Sequence, residues 1–486
     1  MKKRETTRQN VNDAREIMPR RPMEFKSCIE LKGEDSNRTP FQLQVSPLDF
    51  AKYIPFLAKQ LMLPYKVFVK ETETETFLKS KLHKSKSAIH KTSPKLLAPT
   101  MSMSVSTSIQ EITAPENFCL EARYCSHQLN QIHYYGRKPL PRQVFKMIAS
   151  IIQFYPTLTN ITIANGLDVY GIYEISKILV MSQITEVCFE RLNIKNAHYQ
   201  LLLTEASNLN YLSLSKCSIN DEIIENIMLQ LKHSLPASKT LLALNLSCNF
   251  ITDNGAQFIG EALRSNRCLQ YLNLASNMIT DDGAAFIFSS LLKFPLTGKE
   301  IDLRDKTFIQ YSIQKVKLMT LFIDQSISQP KKAELKIEKK AGKKSNNTKT
   351  IVDDTVGLPE HQKARAFAES ILGHFLHPYD KTNIVRECGI EYCTGNNTLC
   401  YLNMAYNDLT IVAIRKLLHI LTYQKIPERS PRGLTQVIIE GNPLPANCSE
   451  LRDLNYFLDS FLNLSQKGRI IRKSRTAKTL SQIHKT

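Results

Sequence analysis

From Leu241 to Phe294 the chain repeats one pattern of apolar and polar positions, 28 residues apart. Leu241, Leu244, Leu246 and Asn249 return as Leu269, Leu272, Leu274 and Asn277, and each set runs into the same turn, Thr252-Asp253-x-Gly255-Ala256 and Thr280-Asp281-x-Gly283-Ala284. The last two leucines of each set alternate with polar residues, which predicts a short strand that buries the leucines and turns their neighbours outward. The asparagine three residues on is suited to satisfy backbone groups where the chain leaves the strand and regular pairing stops. Past the turn, Ala256, Phe258, Ile259, Ala262 and Leu263 recur at helical spacing behind Thr252, a residue type that caps helices. One strand and one helix cannot bury their apolar faces alone, so the unit requires neighbours above and below.

Such neighbours are present. Upstream, Leu209, Leu212, Leu214 and Cys217 fit the template, cysteine being the other residue accepted at the asparagine position. Ile184, Val187, Phe189 and Leu192 fit loosely, as do Leu158, Ile161, Ile163 and Gly166. Downstream, Ile301 and Leu303 keep the strand pattern without the asparagine, while Leu399, Leu402, Met404 and Asn407, then Leu434, Val437, Ile439 and Asn442, restore it. Eight repeats of the leucine-rich type are therefore expected, four of them weak. The long period with a full helix resembles the ribonuclease-inhibitor-like leucine-rich-repeat proteins. That resemblance implies an α/β solenoid, a curved horseshoe with a parallel sheet on its concave face and helices on its convex face.

The flanks divide by composition. Residues 1–115 read as mostly disordered or loosely folded, although Phe41 to Val69 has enough apolar residues for a strand and a helix. Residues 116–157 read as an N-terminal cap, with Val144, Met147, Ile148, Ile151 and Ile152 at helical spacing to hide the open end of the repeats. Repeats are expected over 158–328, a Lys-rich disordered insert over 329–365, late repeats and a C-terminal cap over 366–464, and a basic tail over 465–486. In the cap, LRDLNYFLDSFLNL from Leu451 to Leu464 reads as a closing helix, and Phe367, Ile371, Leu372, Phe375 and Leu376 read as one helical face.

Charge falls outside the repeats. The chain carries a net charge of +19. Residues 329–350 contribute +6, 467–486 +7, 1–26 +4 and 66–99 +5, so the remainder is slightly acidic. These basic stretches suit a weak, salt-sensitive contact with a polyanion, or serve only to keep the segments solvated. Hydrophobic residues make up 42% of the chain, no apolar run approaches the length of a membrane span, and the charged N-terminus has no apolar run behind it. Eleven cysteines show no framework spacing, so reduced thiols in a cytoplasmic protein are expected.

No phosphate-cradling loop or hydrolase nucleophile elbow is found in the sequence, and no cofactor is expected. Cys388, Cys393, His374 and His377 do not follow a recurrent zinc spacing and read instead as small buried thiols and a histidine pair on a helix surface. On the concave face the outward positions should be Asn160 and Thr162, Glu186 and Glu190, Tyr211 and Ser213, Ala243 and Asn245, Tyr271 and Asn273, Glu300 and Asp302, Tyr401 and Asn403, and Glu440, with Arg304 the only basic neighbour. Such a face suits a protein or peptide more than a phosphate backbone. Tyr211, Tyr271, Asn273, Glu300, Asp302 and Tyr401 are the candidate partner-binding residues, tyrosine being enriched at interface hot spots.

The order of strong repeats around Thr240 to Leu296, a lysine-rich insert and a late repeat at Leu399 to Asn407 resembles that of a member of the ribonuclease-inhibitor-like group. This resemblance implies a non-enzymatic intracellular binding protein and, by looser association, a place in cilia or flagella. The expected function is a protein-interaction scaffold. Association with nucleic acid or tubulin tails through the basic segments, and regulation of an enzyme or small GTPase, stand as alternatives.

Overall fold

The structure is a computed structural model, and it describes residues 45–73, 116–205, 207–328, 359–425, 431–445 and 447–459. The tail from 465, most of the 1–115 stretch and most of the lysine-rich insert lie outside these residues.

The first layers come from helix α1 (Phe50–Gln60), strand β1 (Lys66–Glu73), and the hairpin of β2 (Asn117–Cys125) and β3 (Gln128–Tyr134). Alternation explains the strands: Phe118, Leu120 and Ala122 are buried while Cys119, Glu121 and Arg123 face the other way. β1 pairs in parallel with β2, and β2 antiparallel with β3. Helix α2 (Arg142–Ile151) buries Val144, Phe145, Met147, Ile148 and Ile151 against this end of the array. From here each layer is one strand and a return segment: β4 (Asn160–Ala164) and α3 (Val169–Met181), β5 (Glu186–Glu190) and the single turn α4 (Leu201–Thr204), then β6 (Tyr211–Ser215) with α5 (Asp221–Gln230) and the turn α6 (Ala237–Thr240). β7 (Ala243–Asn245) and α7 (Asp253–Ser265), then β8 (Tyr271–Asn273) and α8 (Asp281–Ser289), are the two strong repeats.

Two ladders of side chains join these layers. Asn249 is 5% exposed; its amide donates to the carbonyls of Leu214 and Leu246 at 2.9 and 2.8 Å, and its Oδ1 accepts from the backbone N–H groups of Cys217 and Ile219 at 2.9 and 3.1 Å. Asn277 repeats this one layer on, with Leu246, Leu274 and Ile251. The second ladder explains the Thr-Asp-x-Gly turn. Thr252 caps α7 and also donates through its N–H and hydroxyl to Asp221 of the preceding layer at 2.9 and 2.5 Å; Thr280 does the same to Asp253 at 2.8 and 2.7 Å. A Cβ on Gly255 would sit 2.5 Å from Asp221 Oδ1, and one on Gly283 2.2 Å from Asp253 Oδ1, so each glycine leaves room for the carboxylate.

After α8 the chain leaves the array. β9 (Phe294–Pro295) is followed by α9 (Gly298–Ser328), a helix of 31 residues, and α10 (Glu360–Leu372) packs along it. β10 (Ile384–Glu387) and β11 (Ile390–Cys393) form an antiparallel hairpin that pairs with β9. The chain then re-enters as β12 (Tyr401–Asn403), which pairs in parallel directly with β8, continues into α11 (Ile411–Gln424) and pairs with β13 (Gln436–Ile438). A last helix, α12 over 449–459, buries Leu454 at this end. Both ladders cross the gap: Asn407 donates to Leu274 O at 3.0 Å and accepts from Ile279 N at 3.2 Å, while Thr410 donates to Asp281. The described residues thus form a ten-stranded sheet over one continuous hydrophobic core, with a separate three-stranded sheet in the excursion.

This corrects three expectations. Ile301 and Leu303 do not form a repeat strand, because Thr297 and Glu300 form a reciprocal cap, Thr297 N donating to Glu300 Oε2 at 2.8 Å and Glu300 N to Thr297 Oγ1 at 3.3 Å, which starts α9. The repeat array therefore has seven parallel layers from β4 to β13 where eight were expected. Part of the 329–365 insert is helical, since α10 begins at Glu360. The Phe367 to Leu376 face is also broken: α10 ends at Gly373, whose φ of 70° is a left-handed stop, and Leu376 is 83% exposed beyond it.

Asn277→Leu should lower stability by roughly 2–4 kcal/mol in urea titration, because several buried backbone groups lose their partner. Asn273→Ala, whose amide lies on the open face, should cost less than about 1 kcal/mol in the same measurement.

Candidate binding face and its electrostatics

The strand residues that do not face the core form two registered rows across the open side of the sheet. Tyr211, Ala243, Tyr271, Tyr401 and Gln436 are successive register partners, and beside them run Ser213, Asn245, Asn273, Asn403 and Ile438. Tyr271 and Tyr401 place their rings 5.7 Å apart at 37°, and Tyr271 is 48% exposed. Tyr211, two layers away, is half-buried, and burial raises its pKa, as does the nearby Cys188. Ala243, the register partner of both Tyr211 and Tyr271, lies between them.

The asparagine row is oriented by the backbone. Oδ1 of Asn245, Asn273 and Asn403 accepts from Ser247, Ala275 and Ala405 N–H at 3.1, 3.0 and 3.0 Å. Asn245 spends its amide on Ser213 Oγ at 3.1 Å. Among the described residues no protein acceptor meets the side-chain amides of Asn273 and Asn403, which leaves two N–H donors beside the tyrosine pair.

Toward β1 the face is closed by its own hydrogen bonds. Asn160 and Thr162 are buried: Thr162 donates to Asn160 at 3.0 Å and Asn160 to Glu186 at 2.8 Å. His133 bridges Tyr135 OH at 2.7 Å and Gln131 at 2.9 Å, and burial, then Arg123, pulls its pKa down to about 4. Glu121 accepts from Arg123 and Thr72; its burial opposes the charge, but these donors outweigh it and lower the pKa. Glu190 and Glu440 are exposed on the same side. Burial pushes the Cys188 thiol up to about 11.

The structure therefore brings together Tyr211, Tyr271, Asn273 and Tyr401 but removes Glu300 and Asp302 from the face. Asp302 is exposed on α9. Glu300 accepts from Arg264 at 2.7 and 2.9 Å and from Tyr379 OH at 2.7 Å, anchoring the start of α9 to α7 and to the loop before β10. Burial disfavours its charge, but the hydrogen bonds from Arg264, Thr297 and Tyr379 win and hold the carboxyl at about 2. Arg304 is likewise in α9, paired with Glu391 at 2.6 Å and Asp305 at 2.8 Å.

Cys388 is exposed on the β10–β11 turn and Cys393 is buried, accepting from Arg267 at 3.4 Å. The histidines are not a helix-surface pair: His377 is 5% exposed beyond the end of α10, its ring centroid 4.5 Å from that of His233, and burial lowers both pKa values to about 4. Among the described residues no cluster of three or more His, Cys, Asp or Glu is arranged to hold a metal ion. A cleft of 460 Å³ lies in the excursion, lined by Phe308, Phe375, Tyr379 and Ile384, and two of its rim charges, Arg304 and Arg386, both engage Glu391.

The hairpin residues Glu121, Arg123, Gln131 and His133 escaped the sequence reading, although the alternation of Phe118, Leu120 and Ala122 signals that strand.

The family of the Leucine Rich repeat matches the chain three times, at residues 205–228, 237–260 and 265–288. The three matches cover the layers of β6, β7 and β8, so these layers are leucine-rich repeats. Comparison with curated proteins gives no match. No helix among the described residues is long and apolar enough to cross a membrane.

Glu300→Gln should lower the melting temperature at neutral pH. Because the folded carboxyl titrates near 2 and the ordinary one near 4.5, the stabilisation is complete above about 4.5 and disappears as pH falls towards 2. Thermal melts of the two proteins should therefore converge across that window.

Proposed function

We propose that the chain is a non-enzymatic interaction protein that holds a protein partner on the open face of its sheet, centred on Tyr271 and Tyr401. The observation that carries this reading is the tyrosine pair standing beside the outward N–H donors of Asn273 and Asn403. Aromatic rings supply contact area at low entropic cost, and the amides suit the carbonyl groups of a partner segment laid across the strands. Hydrogen bonds between layers hold the face rigid before binding, which lowers the ordering cost of association. Leucine-rich repeats are protein-binding modules in general, and the arrangement supports that use here.

The finer assignment rests on resemblance. The order of repeats, insert and late repeats resembles leucine-rich repeat-containing protein seventy-one, and on that ground we place the chain in the cytoplasm, as a scaffold within a ciliary or flagellar assembly.

Proximity labelling with the full chain, with Tyr271→Ala/Tyr401→Ala, and with a chain lacking Lys331 to Lys349 and the residues after Lys467 separates the readings. The tyrosine variant should lose the principal partners, by about tenfold or more in recovery, while the deletion keeps them. Loss of all partners on deletion alone, with recovery of nucleic acid or tubulin by the full chain, would overturn the assignment to the sheet.

A further inference from the structure

A third row crosses the open face two residues beyond the asparagines: Glu190, Ser215, Ser247, Ala275, Ala405 and Glu440. Glu190 and Ser215 are register partners, and the hydroxyls of Ser215 and Ser247 meet at 3.0 Å. The backbone ladder then carries the row on, Cys248, Ser276 and Tyr406 donating their N–H groups to Ala275 O, Ala405 O and Glu440 O. Four short side chains thus lie between two carboxylates. From β5 to β13 the sheet advances five strand spacings, which separates the ends of the row by roughly 24 Å. Glu186, the register partner of Tyr211, adds a third carboxylate two residues from Glu190. Across these six strands the three rows contain no lysine or arginine. All three glutamates are exposed, and among the described residues none pairs with a cation. Glu186 accepts from the neutral amide of Asn160 at 2.8 Å. Arg191 and Lys216 follow in the turns, where left-handed backbone ends the alternation, and they too leave these carboxylates unpaired.

We infer that the segment this face receives is a basic, extended stretch of the partner protein, laid across the strands along the third row. One Lys or Arg of the segment meets Glu190 and Glu186, and a second meets Glu440. The inference rests on the assignment of partner binding to the sheet and supplies the chemistry of the bound segment. Its physical ground is charge complementarity. An acidic segment would be repelled by three uncompensated carboxylates, and a neutral one would desolvate them without return, whereas a cation at each end gains an ion pair and sets the register. At about 3.3 Å per extended residue, a span of roughly 24 Å places the two cations six to eight residues apart. The stretch between them passes over Ser215, Ser247, Ala275 and Ala405, beside the outward amides of Asn273 and Asn403, which donate to its carbonyl groups.

Selection of random peptides displayed on phage, using the full chain as bait, tests it. The peptides recovered should carry Lys or Arg pairs six to eight residues apart. Their synthetic forms, measured by fluorescence anisotropy, should bind Glu190→Gln/Glu440→Gln about fivefold or more weakly, and their affinity for the unsubstituted chain should fall as salt rises. The variant should melt as the unsubstituted chain does, since both side chains are exposed and unpaired. Recovered peptides without basic pairs, or a selection that yields none dependent on the two glutamates, overturn the inference; if such peptides still require Tyr271 and Tyr401, the sheet remains the binding face and only its basic occupant is wrong. Basic peptides that bind Tyr271→Ala/Tyr401→Ala undiminished but need the glutamates support the charged row and overturn the placement of binding on the tyrosines. Peptides that bind only a chain lacking the residues after Lys467 put the chain's own basic tail on the row and overturn the partner as the source of the segment.

Discussion

A side-chain amide at the turn of each late layer is the constraint on which the array depends. When the chain leaves a three-residue strand and turns into its helix, carbonyls and N–H groups are exposed to an apolar interior that cannot satisfy them. Asn249, Asn277, Asn407 and Asn442 meet that demand from the layer itself and from the layer before it, so each turn is completed only when its neighbour is present. Cooperation between layers therefore arises from hydrogen bonding at the turn as well as from the shared core. Cys217 shows the weaker solution. Its thiol reaches Phe189 O at 3.5 Å and Ser215 O at 3.4 Å, but it is only a weak donor.

Most of the array could be read in the residues because its leucine, asparagine, threonine and glycine positions each have one physical task and recur at one spacing. Thr252 and Gly255 could be recognised as a turn; their second task, holding Asp221 of another layer, depends on a contact that no single repeat contains. The failure at Ile301 is equally physical. Glu-Ile-Asp-Leu-Arg alternates as a strand would, yet Thr297-Gly298-Lys299-Glu300 is a capping box, and the residues that follow contain no glycine or proline to end the helix. With Glu300 drawn into the cap and the Arg264 pair, two of the six candidate binding residues leave the sheet, while the three tyrosines and Asn273 stay on it because they belong to layers set by the stronger signal.

The left-handed residues show where the sequence is silent. Arg191, Lys216, Cys248, Ser276 and Tyr406 occupy the same position just past their strands, with φ between 53° and 57°, and share no chemistry. All five donate their N–H to the next layer: Arg191 to Ser215 O at 3.1 Å, Lys216 to Ser247 O at 3.0 Å, and Cys248 to Ala275 O, Ser276 to Ala405 O and Tyr406 to Glu440 O, each at 2.8 Å. The conformational cost at each position, about 1 kcal/mol or more for a residue with a Cβ, is offset by a hydrogen bond between layers and not by the residue type. Its repetition is visible only when the layers are stacked.

The same stacking explains how a long excursion fits inside a repeat array. α8 hands the chain out after one layer and β12 takes it back at the next, so the ends of the excursion lie where an ordinary loop would have ended. Ser276 and Leu274 bond to Ala405 and Asn403 as if no residues intervened. Because loop-closure entropy rises only slowly with length, the layer interface does not weaken much when its connection grows. What the excursion adds is an element outside the array's periodicity. The layers present a broad registered face made of side chains two residues apart, while α9, fixed at its start and covered on one side, presents a narrow stripe with helical spacing.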